Sequence, residues 1–174
     1  MIKILQPRLF VASIYDLDLT RLKARGITGI IMDLDNTLVG WNQPDAPEAL
    51  SSWLLALRRQ GFVTCIVSNN LGERVKQFSS QVGMMSIARA AKPRRRAFRQ
   101  AMRKMGTRAA NTAVIGDQVF TDILGGNRLR LYTILVHPID RREFWTTRMI
   151  RQLEHALVRR PALVMKKFRP LDGH

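Results

Sequence analysis

The sequence predicts an α/β domain built on a mostly parallel central sheet. Short apolar runs rich in β-branched residues alternate with segments of helical periodicity, and turn residues separate them. Polar clusters recur where the apolar runs end. Strands alternating with helices in this rhythm form βαβ units, which join parallel neighbours with one hand. Ligands of such sheets bind beyond the carboxyl ends of the strands, where the polar clusters fall.

Residues 1–17 mix apolar and basic side chains without a firm period, and no element is assigned to them. Asp18 caps a short helix, LTRLKAR, that stops at Gly26. Ile30, Ile31 and Met32 form a buried strand that runs into Asp33 and Asp35, with Asn36 and Gly40 as its exit turn. Trp41 to Pro47 is a turn-rich loop. Pro47 opens a helix with Glu48 in its first turn, Arg58 and Arg59 in its last and Gly61 beyond, charges that suit the helix dipole. Phe62 to Val67 is a second strand, ending in Ser68-Asn69-Asn70. A helix over about Gly72 to Val82 and a short apolar segment, Met84 to Ala88, follow. Lys92-Pro93 begins a helix running to about Met105, with Ala97, Phe98, Ala101, Met102 and Met105 on its apolar face. Thr112 to Ile115 is the next strand and ends at Gly116-Asp117, a helical segment lies between Phe120 and Leu129, and Tyr132 to Val136 is the last strand.

With 174 residues, 46% of them hydrophobic, the chain suffices for one domain over 1–174. Its core is expected at about 26–140, followed by a basic amphipathic helical segment at about 141–168. The single cysteine, Cys65, excludes an intrachain disulfide and suits a reducing compartment, and three scattered histidines exclude a Cys/His metal cluster. Lys3, Pro7 and Arg8 break the first apolar run, and no run of eighteen apolar residues occurs. A soluble, cytoplasmic protein is expected, able to sit peripherally at the inner face of a membrane. Lys and Arg total 29 against 13 acids, a net charge of +16, which implies an anionic partner: nucleic acid, acidic lipid or a phosphorylated metabolite.

Asp33 and Asp35 are two apart on an extended segment, so both carboxylates can face one spot. Two such acids repel unless a cation lies between them, and Mg²⁺ takes carboxylate and carbonyl oxygens. Taken singly, each polar cluster also has an ordinary structural reading. Asp33 to Thr37 serves as an Asx-type turn or a helix cap, Ser68 as a turn residue, Lys92 as a solvated charge and Asp117 as a helix cap.

Taken in order, Asp33/Asp35, Ser68, Lys92 and Asp117/Asp122 resemble the haloacid dehalogenase (HAD) superfamily of phosphotransferases over residues 29–136. SIYDLDL, MDLDNTLVGW, VSNN, AKPRRRAF and VIGDQVFTDILGGNRL are similar to the YqeG-like subfamily IIIA phosphatases, relatives of phosphatidylglycerophosphate phosphatases, and this likeness reaches back to about Pro7. The resemblance implies a HAD-like Rossmannoid three-layer sandwich and a Mg²⁺-dependent phosphatase. Asp33 would be the nucleophile that forms an aspartyl-phosphate, and Asp35 the general acid and then the base. Mg²⁺ would be held by the Asp33 carboxylate, the Asp35 carbonyl and Asp117, with Asp122 binding metal-bound water or orienting Lys92. Ser68 and the Asn69 region would donate hydrogen bonds to phosphate, and Lys92 would offset charge on the nucleophile and the phosphoryl group.

Members of the superfamily often carry a cap domain, but the intervals Thr37 to Ser68 and Asn70 to Lys92 are too short to hold one. An open site suits a large or surface-bound substrate; a cap supplied by a partner is the competing explanation. Between Glu73 and Asp117 there are eleven Lys or Arg and no acid, and Arg94, Arg95 and Arg96 occupy a helix's first turn against the dipole. Beside Lys92 they would gather an anionic substrate, unless they form only a solvated basic face. From Phe144 to Val158, Trp145, Met149, Ile150, Leu153 and Leu157 recur at helical spacing among arginines, a stripe that either packs on the core or lies on anionic lipid. The expected reaction is phosphatidylglycerophosphate to phosphatidylglycerol. The alternatives are a phosphatase for soluble or nucleic-acid phosphates, or a basic RNA-associated binding protein with weak catalysis. Aromatics that would stack bases are not interleaved in the basic segment.

Overall fold

Six strands form one sheet in the order β1-β6-β5-β2-β3-β4, with every pairing parallel, in a computed structural model that describes residues 3–41 and 43–140. The strands are β1 (Leu9–Val11), β2 (Gly29–Met32), β3 (Val63–Val67), β4 (Met85–Ile87), β5 (Thr112–Gly116) and β6 (Tyr132–Val136). The helices are α1 (Leu19–Ala24), α2 (Glu48–Arg59), α3 (Gly72–Gln81), α4 (Arg95–Met105) and the short α5 (Leu124–Asn127).

Alternate residues of each central strand enter opposite layers, as the two-residue period of a strand requires. Ile30, Met32, Ile66, Ala113 and Ile115 pack with Leu50, Leu54 and Leu57 of α2 and with Val75 and Phe78 of α3. Ile31, Cys65, Val67 and Val114 face the other way, onto Ala97, Phe98, Ala101, Met102 and Met105 of α4. The result is the three-layer sandwich that the continuous apolar runs imply. Burial pushes the Cys65 thiol up to about 11, so this cysteine is a packing residue.

The chain steps outward from β2 through β3 to β4, then returns across the sheet to β5 on the other flank of β2. This reversal beside β2 opens the crevice in which doubly wound sheets hold ligands. The register aligns the strand ends there, since Met32 pairs with both Ile66 and Ile115. The described residues of 38–67 and 70–91 are taken up by the loops, helices and strands of this core, so among them the intervals after the first two motifs hold no inserted domain.

Three details differ from the sequence expectations. Leu9–Val11 is a strand, paired with β6 at the sheet edge. Helix α4 starts at Arg95, and Lys92-Pro93 belongs to the turn before it, across a cis peptide bond. The segment after Asp117 divides into a wide π-type turn, Val119–Ile123, and the four-residue α5. The amphipathic helix expected beyond residue 140 lies outside the described residues. Among the described residues no helix is long and apolar enough to cross a membrane.

Candidate active site

The site is built where β2, β3 and β5 end together. The Asp33 amide donates to the Ile115 carbonyl at 3.0 Å, extending the β2–β5 ladder by one step and fixing where the first carboxylate leaves the sheet. Asn36 then turns the chain back in the left-handed region (φ 63°), with its N–H on the Val39 carbonyl at 2.7 Å. Asparagine tolerates that conformation better than most residues, so the loop after β2 closes tightly beneath the two aspartates.

Lys92 reaches the same point from the far side. Its approach is unusual, because Arg89 (φ 48°) and Ala91 (φ 51°) are non-glycine residues in the left-handed region. Hydrogen bonds to the loop after β3 hold them there: Arg89 N–H to the Asn70 carbonyl at 3.1 Å and Ala90 N–H to the Ser68 carbonyl at 3.0 Å. The Asn69 side chain clasps the Lys92 backbone from both sides, accepting from its N–H at 2.7 Å and donating to its carbonyl at 3.4 Å. The Asn69 amide expected on phosphate is therefore engaged in holding the lysine.

The lysine ammonium is buried, its side chain only 3% exposed, and donates to Asp33 Oδ1 at 2.6 Å and to Asp122 Oδ1 at 2.7 Å. Asp122 in turn accepts at Oδ2 from the Gln118 N–H and the Thr121 hydroxyl, both at 3.3 Å. Asp117 accepts from the Thr37 hydroxyl at 3.1 Å. Asp33, Asp117 and Asp122 each place a carboxylate oxygen within 4.8 Å of the others.

Two of the three clustered carboxylates share one lysine and the third has only a hydroxyl partner, so the site carries surplus negative charge when all are ionised. Burial, with Asp122 and Asp33 nearby, pushes Asp117 up to about 8. Burial and Asp122 push Asp33 up to about 6 against the pull of Lys92. Burial works against the charged lysine, but Asp122 and Asp33 more than offset it and raise its pKa above the ordinary value. Asp117, hydrogen-bonded to Thr37 and to no lysine or arginine among the described contacts, therefore favours its protonated form, and a bound cation would displace that proton. An all-oxygen, buried, over-charged cluster fits a hard divalent cation.

Asp35 sits apart from this cluster. Its Oδ1 accepts from Arg74 Nε at 2.9 Å and its Oδ2 from the Asn70 amide at 3.0 Å. Arg74 also donates to the carbonyls of Gly40 (3.1 Å) and Gln43 (3.3 Å), tying α3 to the loop after β2. Ser68 accepts the Asn70 N–H at 3.1 Å and keeps its own hydroxyl proton to donate. Asp33, Asp35, Ser68, Asn69 and Lys92 line one open cleft of about 270 Å³. Arg94, Arg95 and Arg96 are exposed on the amino-terminal turn of α4. Sequence alone assigns Arg74, Asn70 and Thr37 no role at the site. Arg74 carried a signal: it is a cation in a helix's first turn, the same violation that marks Arg94–Arg96.

Gly116 completes the construction. A Cβ there would lie 2.3 Å from Asp122 Cγ, so this carboxylate reaches Lys92 only because position 116 has no side chain. Gly116→Ala should destabilise the protein by about 1–3 kcal/mol through overpacking. It should also weaken metal binding and phosphate release together; unfolding curves and a phosphate assay would register both.

The chain has relatives among known proteins. The "Probable phosphatase YqeG" of Bacillus subtilis is 42% identical over 156 residues, covering 90% of this chain and 91% of that protein. The chain belongs to the HAD phosphatases. The family model described as "HAD-hyrolase-like" matches residues 89–169 of this phosphatase. It is 27% identical over 183 residues to "Phosphatidylglycerophosphate phosphatase 1, chloroplastic/mitochondrial" of Arabidopsis thaliana, covering 95% of this chain and 50% of that protein, so the chain spans half of that relative's length. Among solved structures, the cobalt-bound deoxy-D-mannose-octulosonate 8-phosphate phosphatase of Haemophilus influenzae aligns with a TM-score of 0.54. It is 18% identical, with 66% of this chain and 70% of that chain covered, a likeness of fold. The phosphatase is thus a phosphoric monoester hydrolase of HAD type.

Proposed function

We propose that this phosphatase cleaves a phosphomonoester through an aspartyl-phosphate on Asp33, with Mg²⁺ as cofactor, and that it converts phosphatidylglycerophosphate to phosphatidylglycerol. The observation that carries the chemistry is the buried lysine shared by Asp33 and Asp122 beside a third carboxylate. The Asp33 carboxylate attacks phosphorus while Asp35, fixed by Arg74 and Asn70, gives a proton to the leaving oxygen. Asp35 then takes a proton from the water that attacks the aspartyl-phosphate, returning Asp33 and releasing phosphate. Lys92 and the Ser68 hydroxyl stabilise charge on the phosphoryl oxygens. A divalent cation on Asp33, the Asp35 carbonyl, Asp117 and Asp122 would offset the repulsion between carboxylate and phosphate.

The lipid substrate is supported by the Arabidopsis relative's name, by the open cleft and by the net charge of +16, which suits peripheral contact with anionic membrane. The test is phosphate release from phosphatidylglycerophosphate in mixed micelles, with Mg²⁺ or EDTA, beside Asp33→Asn and an aryl phosphate. Mg²⁺-dependent lipid turnover well above the aryl phosphate rate is expected. Turnover of the aryl phosphate alone would move the substrate to soluble or nucleic-acid phosphates. Failure of both, with salt-sensitive RNA binding, would favour the RNA-associated alternative.

Metal binding should release protons. Asp117 (about 8) and Asp33 (about 6) are raised when metal-free, so protons compete with the cation at low pH. The Mg²⁺ dissociation constant should fall roughly tenfold per pH unit between about 6 and 8, where one proton is displaced. Conversely, in the metal-free protein these two carboxylates favour folding most at acid pH, and that contribution is lost as pH rises through their raised values. Calorimetric Mg²⁺ titrations in two buffers of different ionisation enthalpy would count the protons; an affinity flat from pH 6 to 8 would refute the assignment.

A further inference from the structure

We infer that the rim of the catalytic cleft is a membrane-docking surface, inserting Trp41, Leu71 and Phe120 into an anionic bilayer. Nine large hydrophobic side chains among the described residues are more than a third exposed. Five of these follow the carboxyl ends of five different strands: Tyr15 after β1, Trp41 after β2, Leu71 after β3, Phe120 after β5 and Ile139 after β6. The cleft opens at this end, and Trp41 and Leu71 form part of its wall. Phe120 stands on the same turn as Gln118 and Thr121, which line the cleft as well. Exposure is 47% for Trp41, 65% for Leu71 and 38% for Phe120, so apolar groups in contact with water stand at the catalytic mouth or beside it.

The sixth strand end supplies charge. After β4 come Arg89 and, at the start of α4, Arg94, Arg95 and Arg96, all exposed. Asp45, Glu48 and Glu73 lie on the α2 and α3 side, so the basic sector of the rim is the α4 side. A protein partner of ordinary affinity requires a contiguous complementary patch. Here the apolar groups stand on five separate loops, which suits a fluid surface receiving separate short insertions. Aromatic and aliphatic tips beside arginines form the composition of an interfacial contact, with charge complementary to acidic headgroups. Docked in this way, the cleft would meet a headgroup phosphate at the bilayer surface. That consequence rests on the proposed lipid substrate, whereas the docking itself is measured independently.

The test uses the full chain with Trp53→Phe and Trp145→Phe, which leaves Trp41 as the sole tryptophan. Vesicles of phosphatidylglycerol and phosphatidylcholine with brominated acyl chains should blue-shift and quench Trp41, and pure phosphatidylcholine should do neither. Leu71→Ser with Phe120→Ser should weaken vesicle binding roughly tenfold. Leu55→Ser, which removes exposed apolar surface on α2 away from the cleft, should leave it unchanged. Co-sedimentation with anionic vesicles while Trp41 stays unquenched would overturn the proposal, as would no binding to them at all. Lipid hydrolysis in detergent micelles with Trp41 unquenched would overturn the rim alone. Quenching without lipid hydrolysis would uphold the rim and remove the substrate reading.

Discussion

Asp33→Asn should lower phosphate release by about three orders of magnitude or more, the scale of losing a nucleophile, while the protein stays folded. The side chain keeps its size and can still accept from Lys92, whose ammonium lies 2.6 Å from Asp33 Oδ1. The substitution also removes one of three carboxylates crowded within 4.8 Å. Metal-free Asp33→Asn should therefore be at least as stable as the wild type near pH 8, and the pKa of Asp117 should fall somewhat while burial and Asp122 keep it raised. An inactive but equally or more stable variant marks Asp33 as a group that costs stability and is kept for chemistry. Thermal unfolding at pH 8 with EDTA, alongside single-turnover phosphate release, separates the two effects. Retention of a tenth of the activity would remove Asp33 from the nucleophile's role.

The central strands were legible because β2, β3 and β5 are covered on both faces and read as unbroken apolar runs. Strand β1 was not. Three residues cannot establish an alternation, and its pairing with β6 joins positions about 125 apart, as the Arg8 amide on the Thr133 carbonyl illustrates. Asp33, Lys92 and Asp122 could be placed together in advance because strand ends in a doubly wound sheet converge. Their partners could not be assigned that way. Whether Asn69 bonds to phosphate or to the Lys92 backbone depends on the left-handed turns at Arg89 and Ala91, where neither residue advertises the conformation. Arg74 is the exception: its placement against the helix dipole could be read from the sequence, with Asp35 as the compensation. The expected helix from Phe120 to Leu129 overlooked two close approaches. A Cβ at Gly125 would meet the Phe98 ring at 2.4 Å and one at Gly126 would meet Thr133 at 2.6 Å, so packing sets the backbone there.

Lys92→Met should be the most damaging single change for stability. The lysine is the sole cation hydrogen-bonded to Asp33 and Asp122 among the described residues, and both ion pairs are buried. Breaking a buried pair by removing one partner costs about 3–5 kcal/mol, because the remaining charge has neither water nor a counter-ion. The loss should depend on pH in a definite direction. Without the ammonium, Asp33, which burial already raises to about 6, is pushed further up, so at about pH 5 it is protonated and the penalty shrinks. As pH rises through the elevated pKa of Asp33 the penalty returns. A stability difference that widens from pH 5 to pH 8 therefore identifies a charge effect, since loss of packing would be independent of pH. Mg²⁺ supplies an alternative source of positive charge and should restore part of the stability at pH 8. It should not restore phosphate release, because the cation cannot reproduce an ammonium on the nucleophile's own oxygen. Denaturant unfolding at both pH values, with and without Mg²⁺, would test this; equal destabilisation at pH 5 and pH 8 would show Lys92 to be held by packing rather than by charge.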